Sequence, residues 1–204
     1  LGDVYKRQFL TRPLLRTFHP EKLILNDICH EMSTCFADLL SDRQVTFIPG
    51  DAEQLSFPSG QDLIVSCSAL QWFVSPELFF KRCNALLSGH GYFAFSTFGK
   101  ENLKEIAAVT GSGLHYYSLE ELKKSLSMHY NIVTAGEERI RLTFATPLDV
   151  LYHLKHTGVT AVCRQAWTKG DLQEFCDKYA KLFSCGNAVT LTYHPLYIIA
   201  RKKP

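Results

Sequence analysis

Two aspartates stand where a nucleotide could be bound. The apolar run 23–27 ends in Asp27, and the run 45–48 is soon followed by Asp51-Ala52. If the runs form neighbouring parallel strands, their carboxyl ends face one ligand, because loops at that edge present polar groups without disturbing the core. A carboxylate such as Asp27 can accept hydrogen bonds from both hydroxyls of a ribose. Asp51-Ala52 can contact the edge of an adenine. The alternative is a turn aspartate after each strand.

A second candidate site follows the next apolar run. Residues 62–66 lead into Cys67, and small residues connect it to Gln71 and Trp72. A strand that ends in small polar residues followed by Gln-Trp is typical of the rim of a binding site. The alternative for Trp72 is a position in the core, because tryptophan is well buried on average.

Apolar spacing predicts the elements that position these residues. Pro76, in the first turn of one predicted helix, and a capping box at Ser118 to Glu121 mark two helix starts. The predicted helices cover 9–18, 31–40, 76–87, 118–128, 147–155 and 169–183. The predicted strands cover 23–27, 45–48, 62–66, 92–98, 132–144 and 189–201, the last broken near His194-Pro195. This alternation predicts a single α/β domain, residues 9–204.

The beginning of the chain departs from this pattern. Residues 1–8 fit no element and resemble a translated sequencing-library adapter, so we expect an artefact there; the alternative is a polar tail. A nucleotide-binding α/β domain places a strand and a Gly-rich turn before its first helix, and neither precedes Phe9. We therefore expect a truncated domain, lacking its first strand and Gly-rich loop, that is unstable and inactive by itself. Two glycine pairs follow helical patterns, so we predict that they end helices. They are Gly89 with Gly91, and Gly111 with Gly113.

Composition narrows the partners and the compartment. The 204 residues include 22 basic and 20 acidic side chains, and the net charge of +2 is too even to indicate a nucleic-acid partner. No apolar run approaches the ~20 residues of a membrane span, so we expect no membrane partner. Seven scattered cysteines without Cys-x-x-Cys spacing indicate reduced thiols in the cytoplasm. No histidine or cysteine spacing suggests a metal site, and we expect none.

Several motifs together resemble a known enzyme family. In order, they are Asp27 at a strand end, Gly50-Asp51-Ala52, residues 66–72 (SCSALQW), residues 91–95 (GYFAF) and a closing antiparallel strand. This order resembles the class I S-adenosylmethionine-dependent methyltransferases. Residues 95–99 (FSTFG), 151–158 (LYHLKHTG) and 191–202 (LTYHPLYIIARK) are similar, more narrowly, to the malonyl-[acyl-carrier protein] O-methyltransferases of biotin synthesis. The resemblance covers residues 9–204.

The resemblance implies a fold and a set of site residues. The expected fold is Rossmann-like, with a mostly parallel sheet and an antiparallel C-terminal strand. By the family's pattern, Asp27 would hold the cofactor ribose, Asp51 the adenine amino group, and the Ala52 N–H an adenine ring nitrogen. Cys67 stands where the family often has Asn, so its contact with the cofactor would be through the backbone. The pair Gln71-Trp72 would bind the substrate, and no catalytic residue is identified.

The implied reaction needs no general base. A malonyl carboxylate is already an anion at pH 7 and can attack the sulfonium methyl of S-adenosylmethionine directly, so alignment and exclusion of water supply most of the rate. The implied partner is an acyl carrier protein carrying malonyl, and the enzyme is expected to be a monomer. Carrier proteins of this kind are acidic, which favours a basic rim. The candidates are Lys155, His156, Arg164 and Lys169.

Other functions remain open from the sequence. A methyltransferase of another small molecule would share the first half of the motifs. A nicotinamide-dependent oxidoreductase would also place an acidic residue at a strand end, although Gly50-Asp51-Ala52 fits a methyltransferase better. A non-catalytic binding module or an inactive fragment is the remaining alternative.

Overall fold

The computed structural model describes residues 2–157 and 167–204, and for residues 2–9 it describes the backbone alone. The chain divides into two compact units, Leu1–Pro58 and Ser59–Pro204. Each unit has strands and a hydrophobic cluster of its own.

The first unit is built on a pair of parallel strands, β1 (Leu23–Asp27) and β2 (Val45–Pro49). Both lie where the sequence predicts them, and β2 extends one residue further. Their aliphatic residues remove apolar surface from water, which is the main stabilising contribution for so small a pair. The cluster that they form with the intervening segment contains four buried residues: Leu25, Met32, Phe36 and Val45.

The helix α1 (Gly2–Phe18) precedes β1 and begins before Phe9, where the periodicity predicts its start. Arg12 on this helix donates to both carboxylate oxygens of Asp38, at 2.8 and 3.2 Å. The exposed pair ties α1 to the connection between β1 and β2. The expectations of an artefact at residues 1–8 and of a missing strand and Gly-rich loop stay predictions.

The connection between β1 and β2 is not the α-helix that the spacing over 31–40 predicts. It is a 3-10 segment, His30–Phe36, followed by turns. The hydroxyls of Ser33 and Thr34 each donate to a carbonyl three residues earlier, at 2.8 Å. Such bonds compete with the α-helical ladder and favour the tighter turn. The predicted apolar face is nevertheless packed, because it supplies two residues of the buried cluster.

The second unit carries the remaining elements. Its helices are α2 (Pro76–Leu86), α3 (Lys104–Thr110), α4 (Leu119–Leu126), α5 (Pro147–His156) and α6 (Lys169–Phe183). Its strands are β3 (Gln61–Cys67), β4 (Leu87–Phe98), β5 (Tyr130–Glu137), β6 (Ile140–Phe144), β7 (Ser184–Cys185), β8 (Ala188–Tyr193) and β9 (Pro195–Lys202). The predicted capping box at Ser118 and Glu121 is confirmed, whereas α3 was not predicted.

One sheet of this unit has the strand order β3-β4-β9-β5. β3 is parallel to β4, and β9 lies antiparallel between β4 and β5. Since β4 and β5 both oppose β9, the strands β3, β4 and β5 run in one direction and β9 in the other. This confirms a mostly parallel sheet with an antiparallel C-terminal strand. Buried residues of the sheet and of the helix α2 include Phe80, Phe93, Phe95, Tyr130, Leu196 and Ile198.

The predicted helix end at Gly89 and Gly91 is wrong. The helix α2 stops at Leu86, and β4 runs from there through both glycines. A Cβ at Gly91 would lie 2.8 Å from the carbonyl oxygen of Gln61, so glycine is needed here for the close approach of β3 and β4. The prediction for Gly111 is confirmed, because it caps α3 with a φ of 67°.

The predicted strand 132–144 is two strands that belong to different sheets. β5 pairs with β9, whereas β6 pairs with β8 in a separate antiparallel sheet of order β6-β8-β7. The helices α3, α5 and α6 supply apolar residues to a cluster beside this second sheet. Its buried members are Leu103, Ile106, Val150, Leu154, Phe175, Tyr179, Val189 and Leu191.

Candidate functional site

In the first unit, Asp27 and Asp51 lie at the same edge of the strand pair. Asp27 is in register with Pro49, and its carbonyl accepts a hydrogen bond from the Gly50 N–H at 2.8 Å. The expectation of neighbouring parallel strands whose carboxyl ends carry both aspartates is therefore confirmed. Such an edge is where ligands bind in open α/β sheets.

Asn26 holds the two strand ends together, and no sequence motif distinguishes it from its neighbours. Its side-chain amide donates to the carbonyls of Ile48 (2.8 Å) and Gly50 (3.0 Å). Gly50 itself has a φ of 131°, a conformation that other residues rarely adopt, so the turn into Asp51 requires glycine.

Each aspartate also stabilises its own turn. Oδ1 of Asp27 accepts the backbone N–H of Cys29, and Oδ1 of Asp51 accepts that of Glu53, both at 2.9 Å. Asp27 is 5% exposed, whereas Asp51 and Ala52 are half-buried. The turn interpretation accounts for one hydrogen bond of each carboxylate. These bonds hold both carboxylates in place at the carboxyl edge of the strand pair.

In the second unit, Cys67 ends β3 and is exposed. Its sulfur accepts a hydrogen bond from the Ser96 hydroxyl at 3.4 Å. The next residue, Ser68, has a φ of 51° and donates its N–H to the Ser96 carbonyl at 2.9 Å. After this turn the chain leaves β3, and the next segment runs across the end of β4.

Gln71 is fixed at both ends of its amide. Its nitrogen donates to the Ser68 carbonyl at 2.6 Å, and its oxygen accepts the Thr97 hydroxyl at 3.2 Å. Trp72 is 49% exposed, so the alternative that it is a core residue is wrong. In the 3-10 segment Leu70–Trp72, Leu70 is therefore buried and Trp72 faces solvent.

A narrow cleft opens beside Gln71, at the carboxyl ends of β3 and β4. It is lined by Leu70, Gln71, Pro76, Thr97, Phe98, His115, Tyr116, Tyr117 and Leu122. The loop that contributes His115 to Tyr117 was not identified from the sequence, because no motif distinguishes it from an ordinary connection.

Tyr116 is the polar group of that loop with the best-defined role. Its hydroxyl accepts a hydrogen bond from the Asn102 side chain at 3.0 Å, while the oxygen of that amide accepts the N–H of His194. Burial raises the pKa of Tyr116, and the bond from Asn102 only partly opposes this. The phenol therefore stays protonated near neutral pH, so it can donate a hydrogen bond into the cleft.

His194 is buried and held in one tautomer. Its Nδ1 accepts the backbone N–H of Glu101 at 3.2 Å, so the ring proton lies on Nε2, which faces Glu137 at 3.2 Å. Burial raises the pKa of Glu137, but the bonds from Arg139 and His194 outweigh it and lower the pKa overall. The histidine thus serves to join the β8–β9 connection to its neighbours.

The basic-rim candidates lie in different parts of the second unit. Lys155 and His156 are exposed at the end of α5, and Lys169 is exposed at the start of α6. Arg164 lies outside the described residues. Within residues 2–157 and 167–204, no cluster of His, Cys, Asp and Glu could hold a metal ion. Among the helices in the same ranges there is no candidate for a membrane span.

The chain is similar to methyltransferases in sequence and in fold. Residues 8–95 match the family model for a methyltransferase domain. A malonyl-[acyl-carrier protein] O-methyltransferase from Bacteroides thetaiotaomicron is 56% identical, over 95% of this chain and 78% of that protein. One from Bacteroides helcogenes is 51% identical, over 95% and 75%. The structure of an S-adenosylmethionine-dependent methyltransferase from Mesorhizobium loti matches in fold with a TM-score of 0.54 at 15% identity, over 89% of this chain and 80% of that one.

Proposed function

Because the chain belongs to the malonyl-[acyl-carrier protein] O-methyltransferase family, whose members are S-adenosylmethionine-dependent methyltransferases, we propose that it methylates the free carboxylate of a malonyl group carried by an acyl carrier protein. The observation that carries this proposal is the 56% identity over 95% of the chain. The product would be a methyl ester, as in the biotin synthesis that the sequence motifs suggested.

The chemistry makes modest demands on the protein. When bound, S-adenosylmethionine supplies an electrophilic methyl group on a sulfonium. A carboxylate oxygen forms the new C–O bond while the C–S bond breaks. The electron pair of the C–S bond returns to sulfur, so no proton is moved. What the residues must do is align the two groups and exclude water.

Support for the cofactor roles comes from the edge of the first unit at which β1 and β2 have their carboxyl ends. We assign Asp27 to the ribose hydroxyls, Asp51 to the adenine amino group and the Ala52 N–H to an adenine ring nitrogen. Each aspartate is fixed by its turn bond, which limits the entropy lost when a ligand binds. At the end of β3, Cys67 would contact the cofactor through its backbone, because its sulfur already accepts a bond from Ser96.

Support for substrate binding comes from the cleft of the second unit. Gln71 forms part of the cleft wall with its amide already oriented, and the next residue, Trp72, is exposed to solvent. Tyr116 adds a phenol donor that suits a carboxylate or a thioester carbonyl. We assign these three residues to the malonyl end of the substrate.

The setting of the reaction is part of the same proposal. Six cysteines in the described ranges are free thiols, which suits a reducing cytoplasm. We propose a cytoplasmic monomer whose only macromolecular partner is the carrier protein. Light scattering during size-exclusion chromatography checks the monomer, and a species of twice the mass would contradict it.

Methyl transfer itself is tested with labelled S-adenosylmethionine. Malonyl-carrier protein should acquire a label that mild base releases, as expected of a methyl ester. Acetyl-carrier protein, which has no free carboxylate, is the matched control and should stay unlabelled. The chain is assayed as it is and with a strand and a Gly-rich loop added upstream. Label on the acetyl control, or on a phenol or amine instead, would contradict the assigned substrate.

A further inference from the structure

The outer face of α5 is an exposed stripe of apolar and basic residues. Leu148 is 39% exposed and Tyr152 is 61% exposed, and Lys155 and His156 continue the same face. Their spacing of four, seven and eight residues from Leu148 places them on one side of a helix. The opposite side is buried through Val150 and Leu154, members of the cluster next to β8. We call the exposed set Leu148, Tyr152, Lys155 and His156 the α5 stripe.

The charge of the α5 stripe has one sign. The one carboxylate in α5, Asp149, accepts hydrogen bonds from the N–H and hydroxyl of Thr146, so it is bound at the helix start. The Nδ1 of His156 donates to the carbonyl of Tyr152 at 2.7 Å, which fixes the ring on the stripe. Among the described residues no ion pair involves Lys155. The stripe therefore offers positive charge beside apolar surface.

The helix α5 packs behind the wall of the cleft. Phe98 lines the cleft, and its ring is 6.3 Å from that of Tyr193. The hydroxyl of Tyr193 is hydrogen bonded to Nε2 of His153 at 3.0 Å. His153 belongs to α5, so the helix that carries the stripe packs directly against the residue that supports the cleft.

We propose that the α5 stripe is the docking surface for the acyl carrier protein, an inference that rests on the proposed function. The substrate is tethered to an acidic partner, and a surface of matching charge near the cleft would steer that partner and orient the tether. Tyr152 and Leu148 are the apolar anchors, since a few exposed aromatic and aliphatic residues dominate most interfaces. Lys155 meets the partner's carboxylates, and the ring of His156 lies beside it on the same face.

A second set of exposed apolar residues is a less suitable docking surface for an acidic partner. Trp72, Val74 and Leu78 are 49%, 91% and 62% exposed near the start of α2. The exposed Glu77 stands among them, and its charge would oppose an acidic partner. The α5 stripe has no such residue.

The test measures the affinity of unacylated acyl carrier protein for the 204-residue chain by fluorescence anisotropy. Tyr152→Ala and Lys155→Glu should each weaken binding about tenfold or more, as loss of an anchor or reversal of a facing charge does. Binding to the unchanged chain should also weaken as salt is added, and this dependence should be smaller in Lys155→Glu.

The matched controls lie on α6, where Leu182 and Lys181 are also exposed. Leu182→Ala and Lys181→Glu should keep the affinity within about twofold. Melting curves check that each variant is folded; if one of the two stripe variants unfolds, Tyr152→Ser or Lys155→Ala replaces it. Equal affinity in the stripe variants and the unchanged chain would overturn the docking surface, and so would no binding to the unchanged chain both with and without the upstream strand and Gly-rich loop.

A separate readout distinguishes this proposal from the function it rests on. Malonyl-coenzyme A presents the same malonyl thioester without a carrier protein. In the methylation assay, the stripe variants should lose efficiency with malonyl-carrier protein and keep it with malonyl-coenzyme A. No methylation of either thioester by the unchanged enzyme, with or without the upstream strand and Gly-rich loop, would refute the function instead, and an equal loss with both thioesters would refute the docking surface.

Discussion

At the scale of single residues, three aspartates of the first unit share one geometry and differ in position. Asp27, Asp51 and Asp42 each accept the N–H of the residue two places on, all at 2.9 Å. Asp27 is the last residue of β1 and Asp51 follows the carboxyl end of β2, whereas Asp42 precedes the amino end of β2. Comparing Asp42 with Asp27 and Asp51 therefore separates the effect of the turn hydrogen bond on stability from the effect of a position at the carboxyl edge on cofactor binding.

Replacement of Asp27 or Asp51 by Ala should weaken S-adenosylmethionine binding by about ten- to a hundredfold. Each would remove a charge-assisted hydrogen bond to the cofactor, worth roughly 1.5–3 kcal/mol. Isothermal titration calorimetry measures the affinity, in the chain and in its upstream-extended version.

The control for that experiment is Asp42→Ala. It removes a turn bond of the same type, so its cost in melting temperature should resemble that of the other two, while cofactor affinity should stay unchanged. Equal affinity in all three variants would mean that Asp27 and Asp51 act only in their turns. An equal loss in all three would point to damage of the fold.

At the scale of elements, a network of exposed ion pairs links the segments around α3 and α4. Glu101 is paired with Arg139 and Lys104, and Glu121 with Lys100. The bonds from Arg139 and Lys104 lower the pKa of Glu101 to about 2. The bond from Lys100, helped by the capping bonds of Ser118, lowers the pKa of Glu121 to about 2.

These lowered pKa values predict how stability depends on pH. A carboxylate whose folded-state pKa is depressed stabilises the fold above its unfolded value, near 4.5, and loses that contribution as pH falls toward 2. Glu101→Gln should therefore lower the melting temperature at pH 6, and the difference from the unchanged chain should shrink between pH 4.5 and 2. Solvent and salt screen these exposed groups, so the effect should also decrease at high salt.

Glu138→Gln is the matched control for the pH experiment. Glu138 is exposed beside Arg139, and among the described residues no ion pair involves it. Its substitution should leave the melting curve unchanged across the same range. A difference for Glu101→Gln that stays constant from pH 6 to pH 2 would show that the carboxylate charge is not what stabilises the network.

At the scale of the whole molecule, thiol accessibility reports on both units at once. Cys29 of the first unit is exposed, as are Cys67 and Cys185 of the second. Cys83 of α2 is 1% exposed, and burial raises its pKa to about 12. Because the thiolate is the reactive form, both its burial and its pKa protect it.

Alkylation in native buffer at pH 8 should therefore modify Cys29, Cys67 and Cys185 and leave Cys83 intact. Peptide mass spectrometry identifies the modified sites, and labelling in denaturant shows that every cysteine peptide is detectable. Rapid modification of Cys83 in native buffer, at the rate of Cys185, would contradict the packing of α2 against β4.

The sequence by itself determined those features that depend on neighbouring residues. The bounds of α6 and β1 match the prediction, because apolar spacing and flanking residues act within the segment. The capping box at Ser118 and Glu121 is equally local, since its two bonds join residues three apart. The positions of Asp27 and Asp51 at one edge followed from two short apolar runs, each ending in or soon followed by an aspartate, that pair as parallel strands.

Only the tertiary structure decided which distant segments pair. Residues 132–144 divide into β5 and β6 because their partners, β9 and β8, belong to different sheets. Glu105 resembles a surface residue of a short helix, yet it is 2% exposed and accepts the N–H and hydroxyl of Thr192, 87 residues away. The cleft arises in the same way, since Gln71 is oriented by Thr97 from another strand. No local pattern encodes these contacts, because the free energy of each depends on burial that exists only once the sheets have formed.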